Sequence, residues 1–203
     1  MMTAVVAIVA IGAGALVARA VLDRSQSADL GLATATVLAP TRPLPEFTLT
    51  DQAGATFDKS RMRGHWSLVF FGFTHCPDVC PTTLAMLAQA EKKIAAAPAA
   101  IAPQVVLVSV DPERDTPEQL ATYVKFFSPT FTGVTGPVTS IDAFTRALGI
   151  PVARTQLPNG DYTVDHSAAI LLVDPEGAMH AVFSAPQSAD LIAADYRRIV
   201  NPN

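Results

Sequence analysis

The sequence contains only two cysteines, Cys76 and Cys80, among its 203 residues. So few cysteines exclude the disulfide framework of a small secreted domain and indicate one chemical site instead. The net charge is −4 and no basic cluster occurs, which argues against nucleic acid as a partner. A glycine-rich phosphate loop, a G-x-S-x-G motif and a paired-histidine zinc motif are also missing. The chemistry must therefore be sought around the cysteine pair.

The first 22 residues form an almost unbroken apolar stretch. Residues 4–18 are apolar or glycine, and apolar character resumes after Arg19 as far as Leu22. This length approaches the roughly 20 residues that a helix needs to cross a bilayer, so residues 1–22 predict a single transmembrane anchor. A cleaved signal peptide and a buried soluble helix are the alternatives. By the positive-inside rule alone, Arg19 and Arg24 would place the following domain in the cytoplasm.

Residues 23–45 are small, polar and proline-bearing, and they predict a linker. Residues 46–203 then predict one domain in which strands and helices alternate. Apolar runs at 66–73 and 105–110 indicate interior parallel strands, and a capping box at Thr116 begins a helix that ends near Phe127. Further elements are expected as a hairpin at 47–57, helices at 80–97, 140–148 and 188–200, short strands at 131–135 and 162–164, and a hairpin at 167–183. The pattern predicts an α/β fold with a mixed sheet and helices on both faces, in agreement with a thioredoxin-like fold carrying an N-terminal β-hairpin.

The cysteines follow the first interior strand directly, at the expected start of a helix. A helix N-terminus carries partial positive charge, so the thiols are expected to ionise more easily than free cysteine. Their C-x-x-x-C spacing is one residue longer than that of thioredoxin-type redox centres. The pair could form a disulfide or bind a soft metal such as Cu(I), whereas a closed zinc site would need four ligands. Two buried thiols without a chemical role are the third alternative.

Among the four histidines, His166 differs by its position immediately before the strand expected at 167–173. In a thioredoxin-like sheet the loop before that strand passes beside the cysteine loop, so His166 could complete a three-coordinate S₂N site for Cu(I) or Cu(II). His75 is expected to point away from Cys76, and His65 and His180 to be structural.

Several carboxylates are candidates for a supporting role. Asp165 could orient the imidazole, and Asp78 could tune the thiols or stabilise the turn between them. Asp111 lies at the carboxyl end of the second interior strand, on the edge where sites in α/β folds usually gather. Its neighbours Glu113, Arg114 and Asp115 read most simply as a solvated, charged approach to the next helix.

Three segments together resemble the Sco/SenC family, the membrane-tethered copper proteins linked to assembly of cytochrome c oxidase. They are residues 71–81 (FGFTHCPDVCP), 109–117 (SVDPERDTP) and 164–167 (VDHS), in the family's order. The resemblance implies one copper bound by Cys76, Cys80 and His166 on a thioredoxin-like domain. It also implies anchorage in the inner membrane, a periplasm-facing domain, and delivery of copper to, or thiol reduction of, the copper-A (Cu-A) centre of the oxidase. Other periplasmic copper carriers or thiol reductants are further expected partners.

Two function classes follow. The leading hypothesis is a copper chaperone, a binding and transfer protein rather than a turnover enzyme. The alternative is a membrane-anchored thiol–disulfide oxidoreductase that uses the same cysteines without metal. His166 and the widened cysteine spacing favour the chaperone, because dithiol exchange requires neither. A peroxidase is a weaker third hypothesis.

Overall fold

The computed structural model describes residues 30–158 and 160–201. The fold described below is that of the second of two units in the chain, which begins at Leu32. Within the described residues, no helix has the length and apolar character needed to cross a bilayer. The predicted anchor at residues 1–22 lies outside the described residues and stays a prediction.

The second unit contains ten strands and four α-helices within the described residues. The strands are β1 (Ala35–Pro43), β2 (Thr48–Asp51), β3 (Thr56–Asp58), β4 (Ser67–Gly72), β5 (Gln104–Ser109), β6 (Thr132–Thr135), β7 (Val152–Gln156), β8 (Tyr162–His166), β9 (Ile170–Val173) and β10 (Ala178–Phe183). The helices are α1 (Val79–Ala95), α2 (Pro117–Phe127), α3 (Val138–Leu148) and α4 (Ala189–Val200), and a 3₁₀ turn covers Lys59–Arg61.

Eight strands form one mixed sheet in the order β1-β10-β9-β4-β5-β6-β2-β3. The central strand β4 runs parallel to β5 and antiparallel to β9, and β5 runs parallel to β6. The predicted N-terminal hairpin is confirmed as β2 and β3, which pair at the sheet edge. Strands β7 and β8 form a separate two-stranded sheet. The mixed sheet expected from the sequence is therefore confirmed, with one additional hairpin beside it.

The core lies on both faces of the central strands. Every residue of β4 and β9 is buried, which explains their unbroken apolar sequences. Phe70 and Phe71 point to opposite faces because side chains alternate along a strand. The Phe71 ring lies 6.0 Å from that of Phe144 on α3, whereas Gly72, on the Phe70 face, lies against Cys80 of α1. Helices therefore cover both faces of the sheet.

Two segments differ from expectation. The predicted linker 23–45 is wrong for residues 35–43, which form β1 and pair antiparallel with β10. Residues 152–156 were not expected to be a strand, yet they form β7 and pair with β8. Elsewhere the helix starts are close to prediction, and the capping box of α2 is present, with Thr116 and Gln119 bonded reciprocally.

Candidate metal centre

The two cysteines lie where β4 ends and α1 begins. Cys76 is in the turn between these elements, and Cys80 is the second residue of α1. The Cys80 backbone N–H donates to the Cys76 sulfur at 3.4 Å, and N–H groups in the first turn of a helix have no intrahelical acceptor. Both cysteines are free thiols. The turn therefore brings the two sulfurs together without joining them.

His166 is the last residue of β8, and its side chain reaches the two cysteines from the β7–β8 hairpin. Its Nε2 lies 3.3 Å from the Cys80 sulfur. Its Nδ1 lies 3.0 Å from the Ser167 carbonyl oxygen, an acceptor, so Nδ1 carries the proton and Nε2 presents a lone pair. The rings of Phe70 and Phe73 pack against the imidazole in T-shaped arrangements, with centroids 5.9 and 5.8 Å away. The imidazole is thus oriented toward the sulfur by a hydrogen bond and by packing.

The three side chains form a compact donor set. One ligand atom from each of Cys76, Cys80 and His166 lies within 4.8 Å of the other two. Cys80 is fully buried, while Cys76 and His166 are partly exposed at an open depression of about 240 Å³. Two sulfurs and one nitrogen suit copper, because soft thiolates and imidazole are both good copper ligands. The donor set fits a single copper ion.

Burial sets the protonation of this site before metal arrives. Desolvation strongly raises the pKa of the Cys80 thiol, and it lowers the pKa of His166 below its ordinary value. The expectation of readily ionised thiols is therefore wrong for Cys80, where burial has the largest influence on the pKa. His166 is neutral and ready to bind, whereas Cys80 must release a proton when it becomes a ligand.

Asp115 holds the chain that leads into the cysteine turn. Its carboxylate is fully buried and accepts hydrogen bonds from the Thr74 backbone N–H at 3.1 Å, the Thr74 hydroxyl at 2.6 Å and the Ser109 hydroxyl at 2.7 Å. The interpretation of residues 113–115 as a solvated approach to α2 is thus wrong for Asp115. The signal available in the sequence was its position just after an interior strand, where sites gather.

The proposed supporting carboxylates lie in three different settings. Asp78 is exposed, lines the depression and precedes α1 without a side-chain hydrogen bond to the helix. Asp165 also lines the depression, but its carboxylate accepts from the Thr155 hydroxyl at 2.8 Å, and the imidazole Nδ1 is bonded to the Ser167 carbonyl instead. Asp111 is fully buried and accepts a 2.8 Å hydrogen bond from the Tyr162 hydroxyl. Asp111 thus contacts the hairpin that carries His166, not the donors themselves.

The other three histidines lie outside the donor set. His75 is exposed, and its Nδ1 contacts the Thr74 hydroxyl at 3.0 Å. His180 packs edge-on against Trp66 and lies 3.6 Å from Asp174, and His65 is exposed. Sequence adjacency to Cys76 therefore does not make His75 a ligand.

Comparison with known proteins relates this chain to a protein family. The SCO1/SenC family model matches residues 37–201. A protein of Stutzerimonas stutzeri whose name describes copper binding is 36% identical over 169 residues, which cover 83% of this chain and 82% of that protein. The mitochondrial SCO2 homologue of Bos taurus is 39% identical over 154 residues, 75% of this chain, and the match spans 58% of the bovine protein's length.

A solved structure with the same fold contains the metal. The crystal structure of Arabidopsis thaliana ScoI with copper bound matches 78% of this chain and 98% of its own, with 33% identity and a TM-score of 0.75. Sco proteins are cytochrome c oxidase assembly proteins. The thioredoxin-like fold expected from the sequence is thereby confirmed. The chain belongs to the SCO1/SenC family of copper-binding proteins.

Proposed function

We propose that this protein is a copper chaperone that delivers one copper ion to the Cu-A site of cytochrome c oxidase. The observation that carries the proposal is the donor set of Cys76, Cys80 and His166, whose ligand atoms lie within 4.8 Å of one another. The family's part in cytochrome c oxidase assembly supports the choice of target.

Ligand exchange is the chemistry that this site favours. Three donors leave copper open to a further ligand, and Cys76 and His166 are accessible at the rim of the depression. An incoming thiolate of the target can bind the ion there and displace one donor at a time. Cys80, buried beneath them, is the last donor to be released.

The cellular setting is part of the proposal. We place the chain in the inner membrane through residues 1–22, with the domain facing the periplasm, where the Cu-A-bearing subunit, other copper carriers and thiol reductants would meet it. Cell fractionation of the full-length protein, followed by protease treatment of spheroplasts, tests this placement. Protection of the domain from protease in spheroplasts would contradict it.

The copper site is tested by titrating the reduced full chain with Cu(I) under anaerobic conditions and with Cu(II). We expect one copper per chain and an intense sulfur-to-Cu(II) absorption. His166→Ala should abolish that absorption and lower Cu(II) affinity by more than about 100-fold, since loss of a ligand costs more than loss of an outer partner. His75→Ala, next to Cys76 but outside the donor set, should leave both unchanged. A His166→Ala protein with wild-type spectrum and affinity would contradict the proposal.

A thiol–disulfide oxidoreductase is the second candidate, favoured by the 3.4 Å contact between the Cys80 N–H and the Cys76 sulfur in a pair of free thiols. The dithiol would reduce a target disulfide, forming one disulfide here while two electrons and two protons pass to the target's sulfurs. Reductase turnover that survives His166→Ala, in a protein whose copper binding is also insensitive to that change, would favour this candidate.

A further inference from the structure

The hairpin that carries His166 lies outside the main sheet. Strands β7 and β8 pair with each other, and within the described residues no backbone ladder joins them to the eight-stranded sheet. His166 must nevertheless reach the Cys80 sulfur, 86 positions earlier in the chain. The three residues between β8 and β9 fix only the His166 end of this hairpin, so side-chain contacts are needed to fix where the rest of it lies.

Three such contacts join Tyr162, the first residue of β8, to the loop that follows β5. Its hydroxyl donates to Asp111 Oδ1 at 2.8 Å, and its backbone carbonyl accepts from Arg114 Nη1 at 3.1 Å. The Arg114 guanidinium also lies over the Tyr162 ring, 3.8 Å from its centroid. One tyrosine is thus held at its hydroxyl, its ring face and its backbone.

The loop side of this contact is held by bonds of its own. Asp111 is fully buried and forms a salt bridge with Arg114 Nε, while the Asp111 backbone N–H donates to the Ser109 hydroxyl at 3.0 Å. A second ion pair lies further along the hairpin, where Arg154 of β7 donates to Glu113 at 2.6 Å. The loop after β5 therefore contacts both strands of the hairpin.

The geometry of β8 links the position of Tyr162 to the position of His166. Tyr162 and His166 are four residues apart on one strand, so their side chains lie on the same face. Fixing the Tyr162 ring against the β5 loop consequently fixes the face that His166 presents to Cys80.

We propose that Asp111, Arg114 and Tyr162 form a hairpin clamp whose role is to position His166 over the cysteines. All three are positioning residues, since the donor set consists of other side chains. With the clamp closed the chain offers copper three donors, and with the hairpin released it offers only the dithiol. The claim that this positioning matters for copper binding rests on the proposed function. The claim that the clamp fixes the position of His166 does not depend on it.

The first test needs no metal. In the reduced chain, NMR cross-peaks between the His166 and Phe73 rings should report the docked hairpin, because these rings lie 5.8 Å apart between centroids. Tyr162→Phe removes the bond to Asp111, and Arg114→Lys keeps the charge but loses the planar fork. Both variants should weaken or abolish these cross-peaks. Tyr196→Phe is the matched control, since it removes one tyrosine hydrogen bond, to the Ile101 carbonyl, elsewhere in the fold.

The second test uses copper and a double-mutant cycle. Tyr162→Phe should lower Cu(II) affinity by about 10- to 100-fold, the usual cost of losing a residue that supports a ligand, and Tyr196→Phe should not. In a His166→Ala background, Tyr162→Phe should have no further effect. An equal effect in both backgrounds, or intact His166–Phe73 cross-peaks in both clamp variants, would overturn the clamp. If His166→Ala itself left copper binding unchanged, the proposed function would fail. The NMR cross-peaks would still test whether the clamp positions His166.

Discussion

At the scale of single residues, Gly72 makes room for the Cys80 sulfur. A Cβ atom at position 72 would lie 3.0 Å from Cys80 Sγ, 2.9 Å from Phe70 Cε1 and 3.3 Å from Leu107 Cδ1. These contacts are tighter than real Cβ atoms normally make, so the sulfur or its neighbours would have to shift. The glycine at the end of β4 is therefore part of the metal site, although it supplies no ligand.

Gly72→Ala should consequently weaken copper binding. Overpacking of a buried site costs about 1–3 kcal/mol of unfolding free energy, and here the displaced atoms include a ligand. Urea unfolding measures the stability loss, and Cu(I) competition titration measures the affinity. Gly133→Ala is the control, because its Cβ would meet Leu120 at 3.0 Å and Val124 at 3.2 Å, away from the donors. Equal affinity losses in the two variants would contradict this role for Gly72.

Residue chemistry explains which site residues could be predicted. Cysteine and histidine are rare here and chemically distinctive, so their positions indicated a candidate redox or soft-metal site, and the family resemblance implied copper. Arg114 and Asp115 resemble ordinary surface charges in sequence, yet Asp115 is fully buried and the Arg114 side chain is only 20% exposed. Their partners, Thr74 and Tyr162, are more than 40 positions away. Local sequence patterns do not reveal contacts between residues so far apart in the chain.

At the scale of elements, β1 illustrates how a strand can resemble a linker. All nine of its residues are at least partly exposed, and it contains prolines, which are tolerated at a sheet edge. Its place is fixed by pairing with β10 and by Asp195 of α4, a fully buried carboxylate. Asp195 accepts backbone hydrogen bonds from residues 33, 34 and 35 at 2.7–3.0 Å. The contacts that make this segment a strand come from residues roughly 135 to 160 positions further along the chain.

Asp195→Asn should therefore loosen β1. The amide retains one acceptor oxygen but loses the charge, which leaves the N–H groups of residues 33–35 less well paired, and we expect a loss of about 1–3 kcal/mol of unfolding free energy. Urea unfolding checks the magnitude, and hydrogen exchange should show faster exchange at residues 33–37. On the same helix, Asp190 is 80% exposed and pairs with Lys93, so Asp190→Asn should change stability by less than about 0.5 kcal/mol. Similar losses in the two variants would contradict the role of Asp195.

Strand β7 was missed for a different reason. Four of its five residues are exposed, and its sequence does not alternate between apolar and polar residues. The usual sequence signal of a strand is therefore absent. Its order comes from pairing with β8 and from the ion pair between Arg154 and Glu113. Elements with a buried face, such as β4, β5 and α2, were predictable because burial dictates their composition.

At the scale of the whole molecule, three separate parts of the chain converge at one edge of the sheet. The turn after β4 carries the cysteines, the loop after β5 carries Asp111 and Asp115, and β8 carries His166. The parallel pairing of β4 and β5 places their carboxyl ends side by side, which the sequence did predict. The approach of His166 was expected only from the general thioredoxin-like arrangement, and the β7–β8 hairpin that carries it was not expected. Its precise contacts depend on side chains that no local pattern connects.

Global stability should also depend on pH through Asp195. Burial alone would raise the pKa of Asp195, but hydrogen bonds from Thr34, Ala33 and Ala35 outweigh it, and the net effect lowers that pKa below its ordinary value. As the pH falls, the unfolded chain therefore takes up the proton before the folded chain does. The contribution of Asp195 is complete above the unfolded pKa of about 4 and is lost as the pH falls toward the lower folded pKa.

The stability difference between wild type and Asp195→Asn, measured by urea unfolding, should thus be constant from about pH 7 to pH 5 and shrink below about pH 4. Because the other carboxylates titrate in both proteins, they cancel in this difference, and a gap that stayed constant to about pH 3 would show that the Asp195 pKa is not lowered by folding.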